Sequence, residues 1–402
     1  MKIIAITVVT PASENIRGTS ALPYHLIKNR GENVDIIIYS FNHNQLPEKK
    51  IKEVEDELNC KIIILPIPWC ISFLITSFLG LLVRFLLPYP PLYYLRLPKK
   101  NRIEILNSCA DAVIVYGEEL SQITSQLNNY FRCIHILPDC ESLFYIRLLQ
   151  ERYLINGITR LKSQLMLRKF VRMEKTFGIE NISYYLVGDA DAKRLKMLKP
   201  ALDVHFFRHP HYMVMDEHRE IVFHANKIKL LIAGQANLYM KYGAEKVCEG
   251  LCHSSFLNKY YHITFLGHGW NKCINQLLQK GFEVQSLDYV DNYIEEICKH
   301  DIQLTPIVIG TGTKGKVLDA MANGLLLVGT PYSLENIAIK NNYSCLEYYT
   351  VDELISSLVK IVDDRKVYER IAENGRRTVL QNHNANSFWG EVLANYYQKL
   401  RE

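Results

Sequence analysis

Residues 302–330 read strand, glycine loop, helix, strand, and that succession restricts the chain to a parallel α/β architecture more than any other stretch does. The run 302–309 is apolar with β-branched members. Gly310, Gly312 and Gly315 then break it, and Val317, Leu318 and Met321 resume at helical spacing. Such a loop turns backbone N–H groups outward at a helix N-terminus, where the helix dipole also favours negative charge. Lys314 and Lys316 add two mobile cations at the same mouth, beside Thr311 and Thr313. A phosphate-like anion is the expected occupant. Asp319, one turn inside the helix, is expected near that mouth, where a carboxylate can accept from ribose hydroxyls.

The same alternation recurs along the chain. Strands are predicted over 2–9, 34–39, 61–65, 112–115, 134–137 and 182–187, then over 229–233, 261–266, 283–287, 325–328 and 346–349. Helices are predicted over 20–28, 50–58, 148–177, from 351 onward, and finally over 388–400. A chain of 402 residues exceeds the usual size of one core. The expectation is two Rossmann-like, doubly wound domains facing a cleft: 1–205, 206–384, and a C-terminal helix, 385–402, crossing back to the first domain. Pro200, Pro210 and the histidines His205, His209, His211, His218 and His224 mark a loop-rich passage whose spacing fits no standard metal motif, and it reads as an interdomain linker. Loops after strand C-termini carry ligands in open α/β sheets, so Asp139, Glu141 and Ser142, after the strand 134–137, are candidates for handling a substrate. Helix capping is the plainer reading of Asp139 and Ser142.

Residues 315–331, Gly-Lys-Val-Leu-Asp-Ala-Met-Ala-Asn-Gly-Leu-Leu-Leu-Val-Gly-Thr-Pro, resemble the nucleotide-sugar signature of family-4-type retaining glycosyltransferases of the GT-B fold. That signature has two glutamates separated by seven residues; Asp319 takes the second place and Thr311 the first. The resemblance implies transfer of a sugar from a nucleotide-diphosphate donor to a glycan or polyprenyl-pyrophosphate-linked acceptor, with retention and without a cofactor or metal. It implies donor binding through Gly18, Gly234, Gln235, Gly310, Thr311, Gly312, Thr313, Lys314, Gly315, Val317 and Asp319, with Asp319 on the ribose. Lys241 and Lys316 would stabilise the leaving diphosphate, and Asp139 would serve the acceptor. Gln235 stands where the family commonly has arginine, which removes a bidentate phosphate contact. Asp189-Ala-Asp191 matches a metal-binding Asp-x-Asp formally but precedes a helix and reads as a cap. Two other classes remain open. An inactive sugar-nucleotide-binding protein would share the fold, and Gly310-Thr-Gly-Thr-Lys-Gly315 also matches the dinucleotide fingerprint of NAD-dependent oxidoreductases.

Residues 69–83 contain no charge and are nearly all apolar; Arg84 interrupts the run, which ends at the basic Lys99, Lys100 and Arg102. The segment is short against the roughly 20 residues of a spanning helix. It reads either as an interfacial segment, making membrane contact through 69–102, or as a buried hairpin. Arg160, Lys162, Arg168, Lys169, Arg172 and Lys175 share one helical stretch, as a solvated face or as a contact for anionic lipid or pyrophosphate. Ten scattered cysteines and no signal peptide point to reduced thiols in a cytoplasmic protein, peripheral on the inner face of the membrane. The net charge of +5 is mild, and no nucleic-acid partner is expected.

Overall fold

Short runs rich in isoleucine, valine and leucine cannot sit half-exposed, and here they form strands buried on both faces, the condition of a parallel sheet covered by helices. The computed structural model describes residues 1–16 and 19–399, with side chains described as far as Tyr396. The chain divides into two compact units. One comprises Met1–Phe207 together with the segment that begins at Ala385, and the other is Arg208–Asn384.

The first unit holds β1 (Lys2–Thr7), β2 (Asp35–Ser40), β3 (Lys61–Ile64), β4 (Ala112–Tyr116), β5 (Arg132–Leu137), β6 (Ile182–Leu186) and β7 (Asp203–Phe206) in the order β3-β2-β1-β4-β5-β6-β7. Every neighbouring pair is parallel. The order reverses between β1 and β4, which places a ligand crevice outside the carboxyl ends of those two strands. Ile3, Ile4, Ile6, Val113 and Val115 are fully buried at the sheet centre. The Ala385–Lys399 helix packs on this unit, where Phe388 and Trp389 are buried and Trp389 Nε1 donates to Leu26 O at 2.6 Å.

The second unit repeats the plan with β8 (Ile228–Ala233), β9 (Tyr261–Leu266), β10 (Glu283–Leu287), β11 (Ile302–Thr305), β12 (Leu326–Gly329) and β13 (Leu346–Glu347), ordered β10-β9-β8-β11-β12-β13 and parallel throughout. Its switch point lies between β8 and β11. β10 is an edge strand, and it is largely exposed with a charged first residue, which suits an edge that must not recruit another strand.

Three expectations change. The helix expected over 148–177 is two helices, Glu141–Gln150 and Gly157–Lys175, because Asn156 ends the intervening turn and caps the second by accepting from Thr159 N. The apolar run, expected as an interfacial segment or a buried hairpin, is a hairpin of two short helices, Trp69–Thr76 and Phe78–Val83, parted at Ser77, and most of it is exposed rather than buried. The passage His209–His224 is packed into the second unit. His383, fully buried, ties it down: its Nδ1 lies 2.8 Å from His209 O, its carbonyl accepts from His211 N, and its Nε2 accepts from Ala338 N. Burial holds this imidazole neutral, its pKa lowered to about 4.

Candidate functional site

The glycine loop, 306–314, leaves the carboxyl end of β11 at the switch point of the second sheet and runs into the Gly315–Ala322 helix. Opposite it, Gly234 and Gln235 leave the end of β8, and the Lys241–His253 helix follows. The two loops are joined: Val308 N donates to Tyr239 O at 2.9 Å. Gly243, in the first turn of that helix, lies so close to the β11 loop that a Cβ would stand 2.2 Å from Pro306 O. A third loop closes the wall, since Gly267 sits against Gly234, where a Cβ would meet Gly234 O at 2.4 Å, and Trp270 Nε1 donates to the same carbonyl.

Within the β11 loop, Gly312 adopts φ +62°, a conformation costly for other residues, and its carbonyl is bound from two sides. Asn336 Nδ2 donates to it at 3.0 Å and Lys314 Nζ at 3.2 Å; Lys314 Nζ also donates to Thr311 O. Lys314 therefore braces the loop from inside while placing its charge there. Gly310 is buried; Thr311, Thr313 and Gly315 are half-buried. Lys316 is exposed, and its ammonium lies 5.3 Å over the ring of Tyr293. Val317 is buried beneath the helix start. Gln235 and Lys241 are exposed beside the β8 turn. Gly18 lies outside the described residues.

Asp319 is only 5% exposed. Its Oδ1 accepts from Tyr212 N at 2.9 Å, and one turn on Asn323 accepts from Met215 N and donates to Met213 O. The two side chains bind the extended segment 212–215 along the helix. Burial pushes the Asp319 carboxyl up to about 7, against the opposing pull of the Tyr212 N–H and the Lys316 charge. Tyr293 OH is buried without a hydrogen-bond partner among the described residues. Neither Tyr293, Asn336 nor the 212–215 segment is marked by a motif; their place comes from packing.

In the first unit, the carboxyl ends of β4, β5 and β6 converge on an acidic cluster. Asp139 stands there with Glu118, Glu119, Glu141 and Asp191, and the Gly157–Lys175 helix contributes Glu174. Asp191 is buried and accepts from Cys140 N at 2.8 Å, so it ties the β5 loop to the start of the Asp189–Leu198 helix that follows β6, and Asp189 pairs with Lys193. Beside its place in the first turn of that helix, Asp191 is thus a loop tether. Ser142 is fully buried, its N–H donating to Glu174 Oε1 at 2.9 Å and its hydroxyl accepting from Arg194 Nε at 3.2 Å. It braces the loop from behind and caps nothing, since the α-helix beginning at Glu141 has no side-chain cap. Burial, then the neighbouring carboxylates, hold Glu118 protonated far above the ordinary carboxylate range, and burial lifts Glu141 to about 8. Glu174 carries no sequence signal, because a buried charge on a long helix reads like any solvated one, and the half-buried Arg194 carries none either.

No group of described histidine, cysteine or acidic side chains is arranged to hold a metal ion, and no described helix is long and apolar enough to cross a membrane. No protein-family model matches the sequence, and no curated protein is similar to it. Solved structures are similar over the full length. HepE of Anabaena, in complex with UDP, superposes with a TM-score of 0.65 at 10% identity, covering 99% of this chain and 100% of that one; HepE has also been seen with UDP-glucose. Sucrose-phosphate synthase from Thermosynechococcus elongatus gives 0.64 at 12%, covering 100% and 99%. The lipopolysaccharide outer core galactosyltransferase WaaB gives 0.62 at 11%, covering 98% and 100%. Two parallel Rossmann-like sheets in these strand orders, matched end to end by those enzymes, make this a chain with the GT-B glycosyltransferase fold.

Proposed function

We propose that the protein transfers a sugar from a nucleotide-diphosphate donor to a hydroxyl of a glycan or lipid-linked acceptor, with retention of anomeric configuration. The observation that carries this reading is the glycine loop at the switch point of the second sheet, opening into a helix N-terminus with Lys316 on its rim. Diphosphate is the ligand such a mouth suits. Loop amides and the helix dipole meet the phosphate oxygens, and Lys241 and Lys316 supply mobile charge. As the bond from the anomeric carbon to the diphosphate oxygen breaks, negative charge grows on that oxygen, and these groups stabilise it without a metal. The acceptor hydroxyl forms its bond on the face the diphosphate leaves, and its proton passes to the departing phosphate. Asp319, engaged by Tyr212 N, reaches the ribose only with the share of its carboxylate the 212–215 segment leaves to it. Its larger task is to hold that wall in place.

The acid-lined loop ends of β4 to β6 are where the acceptor enters, with Asp139 orienting the reacting hydroxyl. A pyrophosphate-linked acceptor presents its neutral sugar here and keeps its anionic group elsewhere. Ten free thiols fit a cytoplasmic setting.

The test is a thermal-shift and calorimetric titration with UDP, GDP, dTDP, CMP and NAD. A nucleoside diphosphate at about 100 times its dissociation constant stabilises by about 2.7 kcal/mol. Lys316→Ala is expected to weaken that ligand about tenfold without lowering the melting temperature of the free protein. A response to NAD alone, or none to any nucleoside diphosphate, refutes the reading.

A further inference from the structure

The helices Trp69–Thr76 and Phe78–Val83 form a hairpin closed on its inner side and apolar on its outer side. Gly80 packs against the first helix so tightly that a Cβ would stand 2.0 Å from Phe73 O, and Ile71 is buried beneath. Outside, Trp69 is 81% exposed and Phe78 75%, with Phe73, Leu79, Leu82, Val83 and Leu86 exposed as well. Phe78, Leu79, Leu82 and Val83, at positions i, i+1, i+4 and i+5, form one continuous apolar face of the short helix. From Trp69 to Val83 there is no charged side chain.

A basic rim borders this face. Lys169 Nζ donates to Arg84 O and Arg172 Nη1 donates to Pro88 O at 3.3 Å, which seats the hairpin's exit on the Gly157–Lys175 helix. On that helix Arg168, Arg172 and Lys175 lie at positions i, i+4 and i+7, all exposed on one side. The helix carries six bases against one acid, Glu174, and that acid is buried.

We propose that the hairpin is an interfacial anchor that inserts its apolar face into an anionic lipid surface, with Arg84, Arg168, Arg172 and Lys175 against the headgroups. Helices of eight and six residues are too short to span a bilayer and lie at its boundary. Tryptophan at one end and bases at the rim match the two zones of that boundary, hydrocarbon below and charged headgroups above. A second copy of the chain fits worse: a two-fold interface over this face would set the same bases against each other. The proposal is independent of the sugar-transfer reading, and its test needs no donor or acceptor.

The experiment is flotation of the full chain with vesicles of phosphatidylcholine alone and of phosphatidylcholine with phosphatidylglycerol, followed by tryptophan emission. Of the three tryptophans, Trp270 and Trp389 are 2% and 4% exposed, so an emission shift on adding lipid reports Trp69. Wild type is expected to float with the anionic vesicles and shift to the blue. Phe78→Glu with Leu82→Glu should lower partitioning at least about tenfold, since both side chains then stay in water. Arg168→Glu with Lys175→Glu should lower it by a similar factor on anionic vesicles only, and added salt should mimic that change. Unchanged melting curves show that both variants fold. Failure of wild type to float with either vesicle, flotation indifferent to both pairs of substitutions, or a lipid-free dimer that already shields Trp69 overturns the proposal.

Discussion

Replacing Asp319 with asparagine separates what burial costs its carboxylate from what the side chain holds. Within the fold the carboxyl titrates at about 7 against an ordinary value of 3.8, chiefly because it is buried. The folded state therefore binds its proton more tightly than the unfolded chain does. Stability from this group is whole below about pH 4 and is lost as pH rises through about 7, by about 4 kcal/mol in all. Between about pH 5 and about pH 8 the loss is about 3 kcal/mol. Asparagine does not titrate, and its carbonyl can still accept from Tyr212 N. Urea unfolding of wild type and Asp319→Asn at those two pH values, read from the unit that contains Trp270, gives the difference directly. The variant should gain about 3 kcal/mol on wild type across that interval, whatever constant offset its amide introduces. A difference that stays level within about 0.5 kcal/mol refutes the account, and means that the carboxylate is solvated or neutralised at this site.

Gly243→Ala should lower stability by about 1–3 kcal/mol, because its methyl group meets Pro306 O, and should weaken nucleoside-diphosphate binding by displacing the β11 loop; thermal melts and calorimetry read the two effects. Glu141→Gln should stabilise the first unit at alkaline pH and lose that advantage toward pH 4.5, since the Glu141 proton, held up to about 8, is bound more tightly in the fold; unfolding followed across that range checks the sign. Trp389→Phe keeps most of the buried ring but leaves Leu26 O unpaired, and should cost about 1–3 kcal/mol by denaturant titration.

The alternation of short β-branched runs with helical patterns was enough to place every strand except β7, because a parallel strand buried on both faces writes itself as a continuous apolar run, whereas β7 is a half-buried edge strand that reads as part of the loop-rich passage. The glycine loop was equally legible, since its turn, its helix start and its lysines are neighbours in sequence. Strand order was not, and without it the loop's position at the switch point between β8 and β11 stayed unknown. Asp319 shows the same boundary within one residue. Its helical phase follows from local spacing, but its engagement by Tyr212, 107 residues earlier, is decided by the segment that packs over it. Glu174 reads as an ordinary helix charge and Asp191 as a helix cap until the fold buries them around Cys140 and Ser142. The apolar run 69–83 gave two readings that sequence could not separate, because hydrophobicity specifies removal from water without specifying into what. The hairpin's inner side is closed by Gly80 against Phe73, and its outer side is left bare by the packing of the first unit. Local chemistry thus determined the elements and the phosphate-like loop, and tertiary packing alone decided which charges are buried, which carboxylates share a site and which apolar face remains uncovered.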